Sequence, residues 1–459
     1  MAAEQVGVHT VSIVERGFMA LARSIEGALG ARNMAVAEYP GVMSMDPDEL
    51  FEDRIRNVVV DRVVQGAGAP AQAIDRGRQP DPKRVVFGGS LDDVQEHFHQ
   101  NLWTDGLPII PPTTERVQAF LRFTDRSPDE VLGVLLPEQR EATVWNVAVN
   151  GVMAGCRPEY MPILIAIVEA MADPEFRIED GGSTPSWEPL VILSGSLAKQ
   201  LNFNFGQGIM KVGPQANTSV GRFARLYMRN GAGLRIPPGA TDKGTIGHTF
   251  LTVLAEDDDA VRDLGWEPFR VDRGFQREDN VVTLMSVLGV SPPIFPRGNT
   301  ALDQAQAIEE DFGRQMLQNV AYFMVRHGKM FNVVIITPPV AQAIARDRWT
   351  KEDVRQHFYD NVKLPASKID RWPGSELRKQ VEEGLIPKAF LQSDDPERLV
   401  SAILHPEDLG LVVAGDPARE RMRAYAGHHR QGYRVSRKVD LPRDWDQLLD
   451  EKSKQTITR

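Results

Sequence analysis

Apolar positions in the middle of the chain fall at helical spacing twice in succession. Val144, Val147, Ala148, Val152 and Met153 mark one helix, Gly151 and Gly155 loosen the chain after it, and Arg157-Pro158-Glu159 opens a denser apolar run to Asp173. A proline inside a helix removes a hydrogen bond, whereas one in the first turn removes none. Pro162 therefore fits a second helix that begins at about Glu159.

Upstream, Val14, Phe18, Leu21 and Ile25 form a helical stripe ending near Gly30, and Met34 to Tyr39 reads as a strand closed by Pro40-Gly41. A helix from Pro47 to Val64 and a Gly/Pro-rich linker complete an N-terminal unit, residues 1–80. A central region, residues 85–330, opens with a capping box at Ser90 to Asp93 and a turn into extended chain from Trp103 to Pro112. It carries strands at Glu188 to Leu193, Thr249 to Leu254 and Val281 to Val287. In residues 331–459, Val333 to Ile336 and Leu409 to Ala414 read as buried strands, with helices started by Thr337-Pro338-Pro339 and by Thr350 to Asp353. A further helix is expected after Gly415-Asp416-Pro417, and a frayed polar end from residue 446. Strands separated by helices imply parallel pairing. The expected class is α/β. The small terminal units would share one sheet, with a large central α+β region inserted between them.

Composition narrows the function classes. A chain of 459 residues exceeds what one core fills. A net charge of −10 disfavours nucleic-acid binding, which needs clustered Lys and Arg. No run reaches the roughly 18 to 20 apolar residues of a membrane span, and the first residues carry no secretory pattern, so a cytoplasmic protein is expected. The one cysteine excludes an intramolecular disulfide and any Cys-rich metal site. No motif identifies a cofactor. The apolar run around Leu164 to Met171 suggests a homo-oligomer.

Candidate chemistry gathers around Cys156, at the elbow between the two helices. An N-terminal macrodipole and Arg157 would favour its thiolate, whereas a lone cysteine between apolar helices otherwise serves as packing. Gly206, Gly208 and Gly213 precede Asn217, Thr218 and Ser219, which could cap a helix through Arg222, Arg225 and Arg229; with Lys211, this stretch suits an anion. His97 and His99, two apart on a helix, make a poor metal pair.

Several stretches together resemble an uncharacterised bacterial family associated with UGSC (seleno)proteins: WTDGLPIIPPT, ATVWNVAVNGVMAGCRPEYMPILIAIVEA, ANTSVGRFARLYMRNGAG and GTIGHTF. The resemblance implies thiol or selenol redox chemistry, although the naming Gly-Ser-Cys motif is missing here and Trp145 stands where the pattern has an acidic residue. Three readings follow. In the first, Cys156 with Arg157 is the nucleophile, Glu159, Asp105 or His248 handles the proton, and Trp103, Trp145, Asn150, Lys211, Asn217, Thr218, Ser219 and Arg222 bind a small organic substrate, an anionic one among those they suit. In the second, the chain is a binding subunit for a separate UGSC-type partner. In the third, His248, Asp105 and Glu159 hold a metal ion.

Overall fold

The computed structural model describes residues 8–28, 34–68, 81, 83–184, 186–236, 242–244, 246–247, 249–317, 328–370, 377–428 and 432–457. The N-terminal unit has its own small core. β1 (Ser12–Glu15) runs parallel to β2 (Val36–Tyr39), with α1 (Met19–Ala28) as the crossover. Ala37, Tyr39 and Val59 pack with Phe51, Ile55 and Val63 of the following helical segment. Val14 belongs to β1 instead of the helical stripe expected for it.

The capping box at Ser90 forms as the sequence predicts and starts α2 (Leu91–Gln100). A hairpin of β3 (Val131–Leu135) and β4 (Arg140–Thr143) leads into α3 (Val144–Met153), where Thr143 Oγ1 accepts the Asn146 amide at 3.2 Å. A 3₁₀ turn, Pro158–Tyr160, then feeds α4 (Met161–Ala172), with Pro162 harmless in its first turn. α4 is nearly all buried, including Leu164 to Val168, Ala170 and Met171. Its apolar residues are thus used inside this chain, which removes the reason for expecting a homo-oligomer.

β5 (Glu188–Ser194), α5 (Gln215–Tyr227), β6 (Val253–Ala255) and β7 (Val281–Val290) complete the central part. β8 (Asn332–Ile336) begins the C-terminal part, followed by α6 (Pro338–Arg346), α7 (Lys351–Asn361) and a small ladder of β9 (Lys363–Pro365) with β10 (Leu399–Ser401). β11 (Leu409–Val413), β12 (Met422–Gly427), β13 (Val435–Lys438) and α8 (Trp445–Ile457) close the chain.

One seven-stranded sheet joins the last two parts, in the order β11-β8-β12-β7-β5-β6, with β13 also on β7. β8 and β11 are parallel, as the helices between them predict. The α/β class holds, but the sharing differs from the expected one: central β5 to β7 pair with the C-terminal strands, while β1 and β2 form a separate sheet. The pleat sends alternate residues to opposite faces. Val191, Leu193 and Leu284 meet α3, α4 and α5 in the largest core, and Val334, Leu411 and Ala424 meet a second core. Leu190, Ile192, Met285 and Val333 face the other way, onto Phe269 and Phe331.

Two C-terminal expectations fail. The segment after Asp416 is β12, not a helix, because Met422, Ala424 and Ala426 alternate into the core around exposed Arg423. Trp445–Ile457 form α8 where a frayed end was expected: Trp445 and Leu448 are buried, and Lys452 pairs with Glu159. No helix among the described residues is long and apolar enough to cross a membrane.

Candidate functional site

Cys156 ends a helix more than it begins one. Gly155, at φ +80°, donates its N–H to Val152 O at 3.0 Å, and Cys156 donates to Gly151 O at 3.0 Å. This is the pattern of a Schellman C-cap, so the thiol stands by the negative end of α3. The Arg157 side chain is half exposed, with its carboxylate partner Glu159 at 3.9 Å, and it is not among the charges acting on the thiol. Burial pushes the Cys156 thiol up to about 12, and nearby Ser219 and Arg222 offset only part of that. Desolvation thus outweighs the charges expected to favour the thiolate, and the buried site favours the neutral thiol.

The helix face that meets Cys156 also explains the WTDG turn. On α5, Gln215 Nε2 reaches Gly155 O at 3.4 Å and Ser219 lies beside the thiol. Arg222 grips Asp105 through Nε and Nη2, both at 2.8 Å, and donates to Pro108 O at 2.9 Å. Burial would raise the Asp105 carboxyl, but Arg222 overrides it and the net effect is a lowered pKa. Asn230 ties Trp103 O and Asn150 Oδ1 together, each at 3.0 Å. Of the predicted site residues, Cys156, Asp105, Trp103, Asn150, Ser219 and Arg222 are thus brought into one region. Most of their polar atoms serve one another.

Other predicted site residues are elsewhere or otherwise engaged. Glu159 is buried against Lys452. Trp145, buried in the first turn of α3, lies about 12 Å along the axis from the last residue of that helix at 1.5 Å per residue, and Cys156 lies beyond that end. Lys211 is exposed. Asn217 and Thr218 are not caps, since α5 starts at Gln215. Asn217 Nδ2 bonds Asn204 O and Val253 O at 2.8 Å each, and Thr218 Oγ1 accepts the Gly213 amide at 3.0 Å. The proposed anion loop thus spends these groups on its own fold. His248 lies outside the described residues. Among those described, no group of three or more His, Cys, Asp and Glu could hold a metal ion.

The structure places a cavity where sequence reasoning had marked nothing. β12 and β13 share one edge of β7: Tyr425 faces Val290 and Gly427 faces Val287 across a bulge, while Val435 faces Leu284. Between them, among the described residues, Met285 and Ser286 meet no strand on that edge. His428 N–H donates to Ser286 O at 3.3 Å, and the Ser286 hydroxyl donates to Gly432 O. Gly432 has φ +80°, and a Cβ there would meet Ser286 and Trp187 at 2.9 Å, so no other residue fits. A cavity of about 310 Å³ opens at this split, lined by Ser286, Phe331, Asp408, His428, Tyr433 and Arg434 among others. Burial pushes the Asp408 carboxyl up to about 6, against the His405 N–H and the Arg434 charge. A second buried carboxyl, Glu188, is pushed up to about 7 by burial, with Arg225 at 3.6 Å.

A scan against protein-family models, a search of curated proteins and a search of solved structures each found no match.

Proposed function

We propose that this protein is an enzyme that acts on a small organic molecule held in the cavity between β12 and β13, with Asp408 exchanging a proton with it. The observation that carries the reading is the cavity itself: about 310 Å³ at a break in strand pairing, with the Asp408 carboxyl in its lining. Such concave sites with a few convergent polar groups and a perturbed carboxyl are where ligands bind. A pKa of about 6 leaves Asp408 able to give or take a proton near neutrality. Cys156 supplies no comparable group, its thiol being buried and protonated.

The test is a screen of small organic molecules for thermal stabilisation, then for turnover, with wild type and Asp408→Asn. Loss of a positioned acid or base lowers turnover about 10²- to 10⁴-fold. A variant as active as wild type removes Asp408 from the chemistry. The resemblance to UGSC-associated proteins adds a second arm: turnover by the isolated chain would rule against a subunit that needs a UGSC-type partner.

A further inference from the structure

Arg273 and Arg434 come from distant parts of the chain and converge on one aromatic ring. Each guanidinium stands 4.8 Å from the centre of Phe331, and that of Arg273 is also 5.4 Å from Phe269. Gly410 of β11 permits this stack, since a Cβ there would come within 2.8 Å of Phe331 and 3.0 Å of Phe269. Nε and Nη1 of Arg273 and Nε of Arg434 are shut off from solvent and have no hydrogen-bond partner among the described residues.

The neighbouring carboxylates are committed elsewhere. Asp272 holds Lys351 at 3.2 Å and Arg355 at 2.5 Å. Glu175 pairs with Lys329. Asp408 accepts the His405 amide at 2.9 Å, and burial favours its neutral form. Burial first, and then the charges of Arg434 and Arg355, bring Arg273 down to about 9. Cation–ring contacts offset part of the cost of desolvating two like charges, and an anion would both satisfy free donors and balance that charge, which a neutral acceptor would not. Arg434 and Phe331 both line the cavity.

We propose that the cavity's ligand is a small organic anion, a carboxylate or a phosphate, whose charge is taken by Arg434 while Arg273 adds its field from the same ring. This rests on the cavity being the ligand site. Arginine suits the task because its planar fork matches both kinds of oxyanion.

The experiment measures binding of acetate, succinate and inorganic phosphate by thermal shift and calorimetry, with chloride at matched ionic strength and a set of neutral fragments as controls. Wild type, Arg434→Met, Arg434→Lys and Arg273→Met are compared. The expected result is saturable binding of at least one oxyanion, weakened tenfold or more in Arg434→Met and partly restored in Arg434→Lys. Acetate and succinate against phosphate decide the anion class. Arg273→Met should weaken binding and also raise the melting temperature of the free protein, so a misfolded variant is distinguishable from a lost contact. Equal oxyanion affinity in wild type and Arg434→Met would overturn the proposal. Binding of neutral fragments alone would overturn it too, while leaving the cavity as the ligand site. Absence of binding by every compound would overturn both.

Discussion

The amide of Cys156 donates to the carbonyl of Gly151 at 3.0 Å, and this bond fixes the thiol at the C-terminal end of α3. With Gly155 in the left-handed region just before it, the cysteine completes a helix cap and faces Ser219 inside the core. The neutral thiol follows from that placement.

Alkylation of Cys156 in the folded protein should stay slow to about pH 11, whereas the unfolded chain reacts as an ordinary thiol with a pKa near 8.5. Because the folded pKa, about 12, lies above the unfolded one, this group's stability contribution is complete below about pH 8.5 and is lost as pH rises through 12. Cys156→Ala should flatten that alkaline decline in a denaturant titration at several pH values. Rapid native alkylation near neutrality would contradict the placement.

Gly155→Ala should cost about 1–2 kcal/mol, since φ +80° is unfavourable for a residue with a Cβ even though open space surrounds the site. Urea unfolding of the variant measures this. An unchanged midpoint would mean that the elbow tolerates another backbone conformation.

Asp105 and Arg222 are each about 15% exposed in their side chains, at 16% and 15%. Removing one partner should therefore cost about 3–5 kcal/mol, as for a largely buried pair. The Asp105 pKa is lowered on folding, so its contribution is present above the unfolded value of about 3.9 and fades as pH falls through the folded one. Asp105→Asn should lose stability at neutral pH and show a shallower decline in acid. A double-mutant cycle with Arg222→Met would isolate the pair.

Asp408 has the opposite sign. Its pKa rises from 3.8 to about 6 on folding, so its favourable contribution is complete in acid below the unfolded value and is lost as pH rises through about 6. At about 1.4 kcal/mol per pH unit, Asp408→Asn should be more stable than wild type by about 3 kcal/mol near pH 8 and no more stable near pH 4. Denaturant midpoints at those two pH values decide it. Equal stability at both would mean that the carboxyl is not desolvated.

Local chemistry was legible in the chain; long-range pairing was not. Ser90 with Asp93 and Thr350 with Asp353 form their capping boxes because all the groups concerned lie within one helical turn. Pro162, β5, β8 and β11 followed from equally local patterns, a proline in a first helical turn and short continuous apolar runs. Asp105 and Arg222 were both visible as candidates, yet nothing in their separation of 117 residues says that they pair. The segment from Met422 to Gly427 is short, and its alanines and arginine hid a period of two. The cavity was the least legible feature, since Ser286, Phe331, Asp408 and Arg434 meet only after β12 and β13 divide one edge of β7.

On the proposed reading this cavity, and not the Cys156 elbow, receives the ligand. Hydrogen–deuterium exchange, read with and without the tightest-binding compound from the screen, tests it most directly. New protection is expected at Met285-Ser286, Gly427-His428 and Gly432 to Arg434, with Gly155-Cys156 and Ser219 to Arg222 unchanged. Protection confined to Gly155-Cys156 and Ser219 to Arg222 would contradict it and return the site to the cysteine.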